Sequence, residues 1–468
     1  MENKDFVHPY IANSVAAIRE EMLKETGLKS VYDVYAEIPE KLRFKGRLDI
    51  PEAIPSEYLL KRHVEDILKK NATCGEYLSF LGAGCWQHHV PSVVDEIVNR
   101  SEFLTAYCGA NYSDLGKYQA RFEFNSLMAE LLDIDAVANP IYDWGDVAGR
   151  SIRMASRITG KNEALVPGTI CPQRLAEIRQ LCQPEEMDGA IAIRLVDYDP
   201  ATGLMDLEDL RRKISDKTAA VYFENPSYLG FIEDQGEEIT KIAHAAGAQS
   251  IAGVDPISLG ILTPPGSYGA DIICGDLQSL GIHMLAGGGQ SGFIAFRDEE
   301  IYIAECPLEI YSIVDTVKEG EFAFAEVRSE RTSYGLRDKG KDWVGTASGL
   351  WTIGAAVYLS LMGPAGMREI GEVILKKAAY ARNLLLTLPG VKPVFTQTNF
   401  KEFLVDFSGT GKTVAQINQG LKEKKIFGGK DVSAEYPELG QCALYCVTEI
   451  HTEDDIQRLY HALQEVLK

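Results

Sequence analysis

QSIAGVD, residues 249–255, and ADIICGDLQSLG, residues 270–281, are two short apolar runs bounded by glycine and acidic residues. Each is too short for a core helix and is rich in β-formers, so each reads as a buried strand. The first closes on Asp255. The second runs on through Gln278 and Ser279 to Gly281.

Working outward, Ala190–Val196, Ala219–Phe223 and Gly292–Phe296 read as further buried strands. A polar stretch from Asp206 to Ser215 reads as a helix, and Ile239, Ile242, Ala243 and Ala246 form a helical stripe stopped by Gly247. Apolar strands alternating with helices predict an α/β fold whose mainly parallel sheet is covered on both faces. Past Gly363 the spacing changes. Met367–Leu386, Val414–Lys424 and Glu453–Leu467 read as helices, with strands at Phe403–Phe407 and Leu444–Thr448, which predicts a smaller α+β domain. At the other end Ser14 is expected to cap a helix carrying Val15, Ile18 and Met22, with Gly27 as its stop. Ser56 is expected to cap one carrying Leu59, Leu60, Val64, Ile67 and Leu68. The expected division is 1–70 as a helical extension, 71–345 as a large domain and 346–468 as a small C-terminal domain.

The chain of 468 residues has a formal net charge of −21, which repels phosphate backbones and argues against a nucleic-acid partner. No stretch reads as a membrane span, and the start, MENKDFVHPY, has no apolar signal core. The nine cysteines are scattered without a CxxC pair, as reduced thiols of a cytoplasmic protein would be. Gly411-Lys412-Thr413 lacks the earlier glycine of a phosphate loop, because Asp406 stands there. Gly287-Gly288-Gly289 lies between strands and does not open a helix. His88-His89 is the only close histidine pair, and adjacent residues make a poor metal site, so no metal is expected.

Three stretches carry a family resemblance. SFLGAG (79–84) runs into HHVP (88–91) and FLTAY (103–107); ENPSYLG (224–230) leads to Ile232-Glu233-Asp234; and CALYCVTEIHTEDDI spans 442–456. Together with the opening HPYIANSVAAIREEML (8–23), they resemble the alpha subunits (subunit 1) of two-subunit glycine dehydrogenases, the P-proteins of the glycine cleavage system. The resemblance runs over essentially the whole chain. It implies a fold-type I, aspartate aminotransferase-like, pyridoxal phosphate (PLP) enzyme architecture. It also implies an oxidoreductase reaction: glycine is decarboxylated with PLP as electron sink, and the aminomethyl group passes to the lipoyl arm of H-protein.

Such chemistry needs a lysine to hold the aldehyde and an acid facing the pyridine nitrogen. Asp255 matches the acid. The lysine place falls at Gln278-Ser279, with Ser279 where the lysine would stand, and no lysine lies between Lys241 and Lys318. The cofactor phosphate normally sits on a helix N-terminus. Here that turn is Tyr142-Asp143-Trp144-Gly145-Asp146, with a bulky tryptophan and two carboxylates. Asp146 is expected to cap the helix, worth about 1 kcal/mol. The chain is therefore expected to act with a homologous lysine-bearing beta subunit that holds the PLP, as an α2β2 assembly. His88, His89, Tyr107, Asn225, Tyr228, Asp255 and Gln278 are the candidate lining residues. Asn225 reads equally as part of an Asn-Pro turn, and the two histidines and Tyr107 equally as loop packing. The sequence departs from the family at 108–114 and 339–344. That leaves open another small amino acid or amine as substrate, or a scaffold or regulatory role without catalysis.

Overall fold

The structure is a computed structural model; it describes residues 7–46, 48–104, 115–183, 189–285, 290–327, 329–344 and 347–468. The chain forms two compact units, Met1–Ala72 and Thr73–Lys468.

In the first unit the Ser56 hydroxyl accepts from the Leu59 N–H and caps the helix Glu57–Leu68, as expected. The expected Ser14 cap is not made. That hydroxyl faces the Ile11 carbonyl, and the helix Ala16–Glu25 starts after Val15 without a side-chain cap. Neither helix contains a buried residue.

The second unit is built on a seven-stranded sheet. From edge to edge its strands are Ala136–Val137, Gly292–Phe296, Ile272–Asp276, Gln249–Val254, Thr218–Asn225, Glu163–Pro167 and Ala192–Val196. The pairings from 192–196 through 272–276 are parallel, and those of 292–296 are antiparallel. The five central strands, from Glu163–Pro167 to Gly292–Phe296, are buried almost throughout, which is why four of them read as apolar runs; Glu163–Pro167, bounded by a glutamate and a proline, is not among the strands expected from sequence. Helix Trp144–Thr159 packs on one face, with Val147, Ala148, Ser151, Ile152 and Ala155 fully buried. Helices Leu207–Lys213 and Gly236–Ala245 contribute Leu210, Ile239 and Ala243 to a core cluster shared with Phe223 and Val254.

Gly349–Leu385 is one helical run broken at Gly363 (φ 57°, ψ −176°), just before Pro364. By length and composition this run is apolar enough to cross a membrane, which corrects the expectation that no such stretch exists. Its place is in the core of the second unit. Ile353, Ala355, Tyr358, Ile374, Ala378 and Ala381 are buried among the helices and strands around it. Beyond it lies a four-stranded antiparallel sheet in the order Lys392–Pro393, Glu402–Asp406, Cys442–Cys446, Lys430–Asp431. Helices Val414–Glu423 and Glu453–Val466 both open with capping boxes, at Thr413/Gln416 and Thr452/Asp455.

The two sheets meet where the turn after Thr218–Asn225 touches the segment entering Glu402–Asp406. The Phe400 N–H donates to the Gly230 carbonyl at 3.1 Å. Gly230 has φ +92°, and a Cβ there would lie 2.1 Å from the Glu402 carbonyl oxygen. Only glycine tolerates both the backbone conformation and the approach. This contact carries Lys401 and Glu402 over the carboxyl ends of the parallel strands, where open α/β sheets place their sites.

Candidate functional site

Asp255 stands just past the strand Gln249–Val254 and is buried. Ser279 Oγ donates to its Oδ1 at 2.7 Å. Its Oδ2 lies 2.6 Å from the Lys401 ammonium, and the two side chains are 4% and 3% exposed. The same ammonium sits 3.3 Å from the centroid of the Trp86 ring and 3.3 Å from His88 Nε2. A lysine has only donors, so Nε2 accepts and the opposite ring nitrogen of His88 donates to Glu449 Oε2 at 2.7 Å. Burial raises the Glu449 carboxyl, but the contact with His88 and the His89 N–H, 2.6 Å from Oε1, outweigh it and hold it well below the usual carboxylate range.

Segment 83–90 is gripped along its length. The Ala83 N–H donates to Glu402 Oε1 at 2.6 Å. Gln278 closes a two-bond clasp on the Trp86 backbone, donating to its carbonyl and accepting its N–H, both at 2.9 Å. The outcome is a buried Trp86 and a buried His88 side chain, with His89 exposed.

Beside this cluster Trp144 lies across the strand ends. Its Nε1 donates to Tyr222 Oη at 3.0 Å, and Tyr222 donates to Glu224 Oε1 at 2.9 Å. Arg174 pairs with the same Glu224 oxygen at 2.6 Å and stacks 4.0 Å above the Trp144 ring. The cap of helix Trp144–Thr159 is Asp143, whose Oδ1 accepts the Asp146 N–H at 2.9 Å. The expected cap, Asp146, instead pairs with Arg150 at 2.8 Å, because Asp143 alone has the extended backbone of a cap residue. Glu177 reaches over the same helix end. Its Oε2 lies 1.7 Å from where a Cβ on Gly145 would stand. Burial and the neighbouring Asp143 raise the Glu177 carboxyl to about 6. Asp276 is buried next to them and rises to about 7, burial outweighing the amides of Gln278 and Ser291.

A family model for the glycine cleavage system P-protein matches residues 8–463. The chain belongs to that family. A probable glycine dehydrogenase (decarboxylating) subunit 1 of Staphylothermus marinus is 36% identical over 98% of both chains. One of Pyrococcus horikoshii is 37% identical over 98% of this chain and 99% of its own. A crystal structure of the P-protein glycine decarboxylase in inhibitor-bound form superposes with a TM-score of 0.84 at 31% identity, covering 98% of this chain and 100% of that one. A Burkholderia pseudomallei sphingosine-1-phosphate lyase, TM-score 0.63 at 13% identity over 92% of this chain and 94% of its own, shares the fold alone. The P-protein fold here is thus that of the fold-type I PLP-dependent enzymes.

Of the residues singled out from sequence, Asp255, Ser279, Gln278, His88 and Tyr228 come together in this P-protein site. Asp255 and Tyr228 line its cleft. Tyr228 Oη donates to Glu435 at 2.8 Å and receives Lys430 at 2.7 Å. Asn225 serves the turn instead: its Oδ1 accepts the Glu233 N–H at 3.2 Å. Tyr107 and the 108–114 segment lie outside the described residues. The 339–344 segment is tied to the outer face of helix Trp144–Thr159. Asp342 bridges Arg153 and Arg157, each at 2.6 Å, so this departure from the family does not line the cleft. Sequence reading missed Lys401, Glu402, Trp86, Arg174 and Glu449, which sit in the cleft or grip segment 83–90. Lys401 and Glu402 enter from the other sheet, and no local pattern announces that.

These residues do not fit PLP. Both oxygens of Asp255 are engaged, by Ser279 and Lys401. Trp86, Trp144 and Arg174 line the same cleft and leave about 20 Å³, room for roughly one water. Lys401 is no substitute anchor, because its ammonium is paired with Asp255 and covered by Trp86.

Proposed function

We propose that this chain is the lysine-lacking subunit of a glycine dehydrogenase (decarboxylating), and that a homologous lysine-bearing subunit holds the PLP. The reaction is glycine decarboxylation with transfer of the aminomethyl group to lipoylated H-protein. The assembly is α2β2 and works in the cytoplasm. The observation that carries this reading is an Asp255 already bonded to Ser279 and paired with Lys401, Ser279 being where the resemblance puts the Schiff-base lysine. In this reading the chain's own contribution is segment 83–90, which Gln278, Glu402 and Glu449 hold so that the exposed His89 faces outward.

The test is to purify the chain alone and with its lysine-bearing homologue, add PLP, reduce with borohydride and map the label. Label only on the homologue, with glycine–bicarbonate exchange only in the mixture, is the expected result. Exchange by this chain alone would defeat the reading. A purely structural role is favoured by the filled cleft, and His89→Ala separates the two. Lost turnover in an intact complex speaks for a catalytic contribution, and unchanged turnover for a structural one.

A further inference from the structure

A PLP molecule brings two charges to its place in this fold, a pyridinium facing the strand-end acid and a phosphate on the helix N-terminus. We propose that this chain fills both places with its own side chains: the Lys401 ammonium takes the pyridinium's place at Asp255, and the Glu177 carboxylate takes the phosphate's place over the first turn of helix Trp144–Thr159. The former cofactor cleft has thereby become a structural clamp. This rests on the proposal that the partner holds the PLP.

Lys401 reaches Asp255 from the segment between the two sheets, and each of its three N–H directions has a partner: Asp255 Oδ2, His88 Nε2 and the face of Trp86. A buried acid deprived of its cofactor would stay charged and unpaired, or take up a proton. Lys401 removes that penalty, and through His88 and Trp86 it fastens segment 83–90 to the sheet. At the other end Glu177 is oriented by Gln173 Nε2, 3.0 Å from Oε1, and its second oxygen lies over Gly145. The helix dipole favours an anion there, while burial and the neighbouring Asp143 oppose it. Trp144, stacked under Arg174, fills the space between the two charges.

The test is a double-mutant cycle on the full chain with Lys401→Met, Asp255→Asn and both. Each single change should lower the thermal midpoint by on the order of 5 °C, since removing one partner strands the other charge. The double variant should lose far less than the sum. Additive losses, or a Lys401→Met midpoint equal to the parent's, would overturn the proposal. Two measurements cover variants that fail to fold. The unaltered chain should show no PLP absorbance after desalting, and borohydride labelling of Lys401 would sink the idea. Inorganic phosphate should raise the midpoint of Glu177→Ala and leave the parent unmoved; equal responses would refute the anion half. Failure here is distinct from failure of the proposed function. An active complex with an additive cycle removes only the clamp, whereas a coupled cycle in a complex without exchange activity removes only the function.

Discussion

Asp276 shows how far one carboxyl's behaviour depends on its neighbours. Burial lifts it from its ordinary 3.8 to about 7, against the pull of two backbone amides. A raised acid binds more protons folded than unfolded across that window. Stability therefore falls as pH rises from 3.8 to about 7 and is flat above it. The drop from this one group is on the order of 4 kcal/mol. Asp276→Asn keeps an acceptor for the Gln278 and Ser291 amides while removing the titration. Urea midpoints measured across that range should decline less steeply in the variant; identical slopes would show that Asp276 does not titrate there. His89 is the opposite kind of residue, exposed, with its backbone held by Glu449. Glu449→Gln should loosen that hold. A rise in KM or a fall in turnover of the complex, with the chain still folded by circular dichroism, is the expected outcome.

At the scale of elements, two glycines carry geometry that no other residue supplies. Gly363 breaks the run Gly349–Leu385 at φ 57°, ψ −176°, a region closed to side chains. Nothing lies within 4 Å of a Cβ built there, so Gly363→Ala isolates backbone strain from crowding. A loss of about 1–3 kcal/mol by denaturant unfolding is expected. Gly230→Ala combines the same kind of strain with a collision against Glu402. It should destabilise more than Gly363→Ala and also disturb the Lys401 cluster, because the two segments are in direct contact. If Gly230→Ala proved the milder change, the described approach between the sheets would be wrong. The capping of helix Trp144–Thr159 carries a related lesson. Asp146 was the cap expected from sequence, and the extended backbone at 143 makes Asp143 the cap instead.

At the scale of the whole molecule, the unit Met1–Ala72 and the unit Thr73–Lys468 differ in kind. The second carries continuous buried cores, whereas the helices of the first contain no buried residue. Helices of this length are marginal in water without a packed face. Limited trypsin digestion of the chain alone should therefore cut first before Ala72 and leave a resistant fragment beginning near Thr73. First cuts inside the larger unit, read by mass spectrometry, would contradict this.

The parallel sheet, four of its five central strands and the C-terminal helices could be read directly from the sequence; Glu163–Pro167 was not, because a glutamate and a proline bound its three apolar residues. A strand buried on both faces has to be an apolar run, and a capped amphipathic helix has to show its period. The lysine-free interval from Lys241 to Lys318, with Ser279 inside it, is equally plain in the sequence. What Asp255 pairs with was decided only by the tertiary structure. Lys401 meets Asp255, and Trp86 and His88 meet Lys401, across long separations in the chain and from different sheets. Local patterning records what each segment needs to bury. The pairing of one buried charge with another depends on where the chain's turns deliver them, and that is set by the packing of the whole unit.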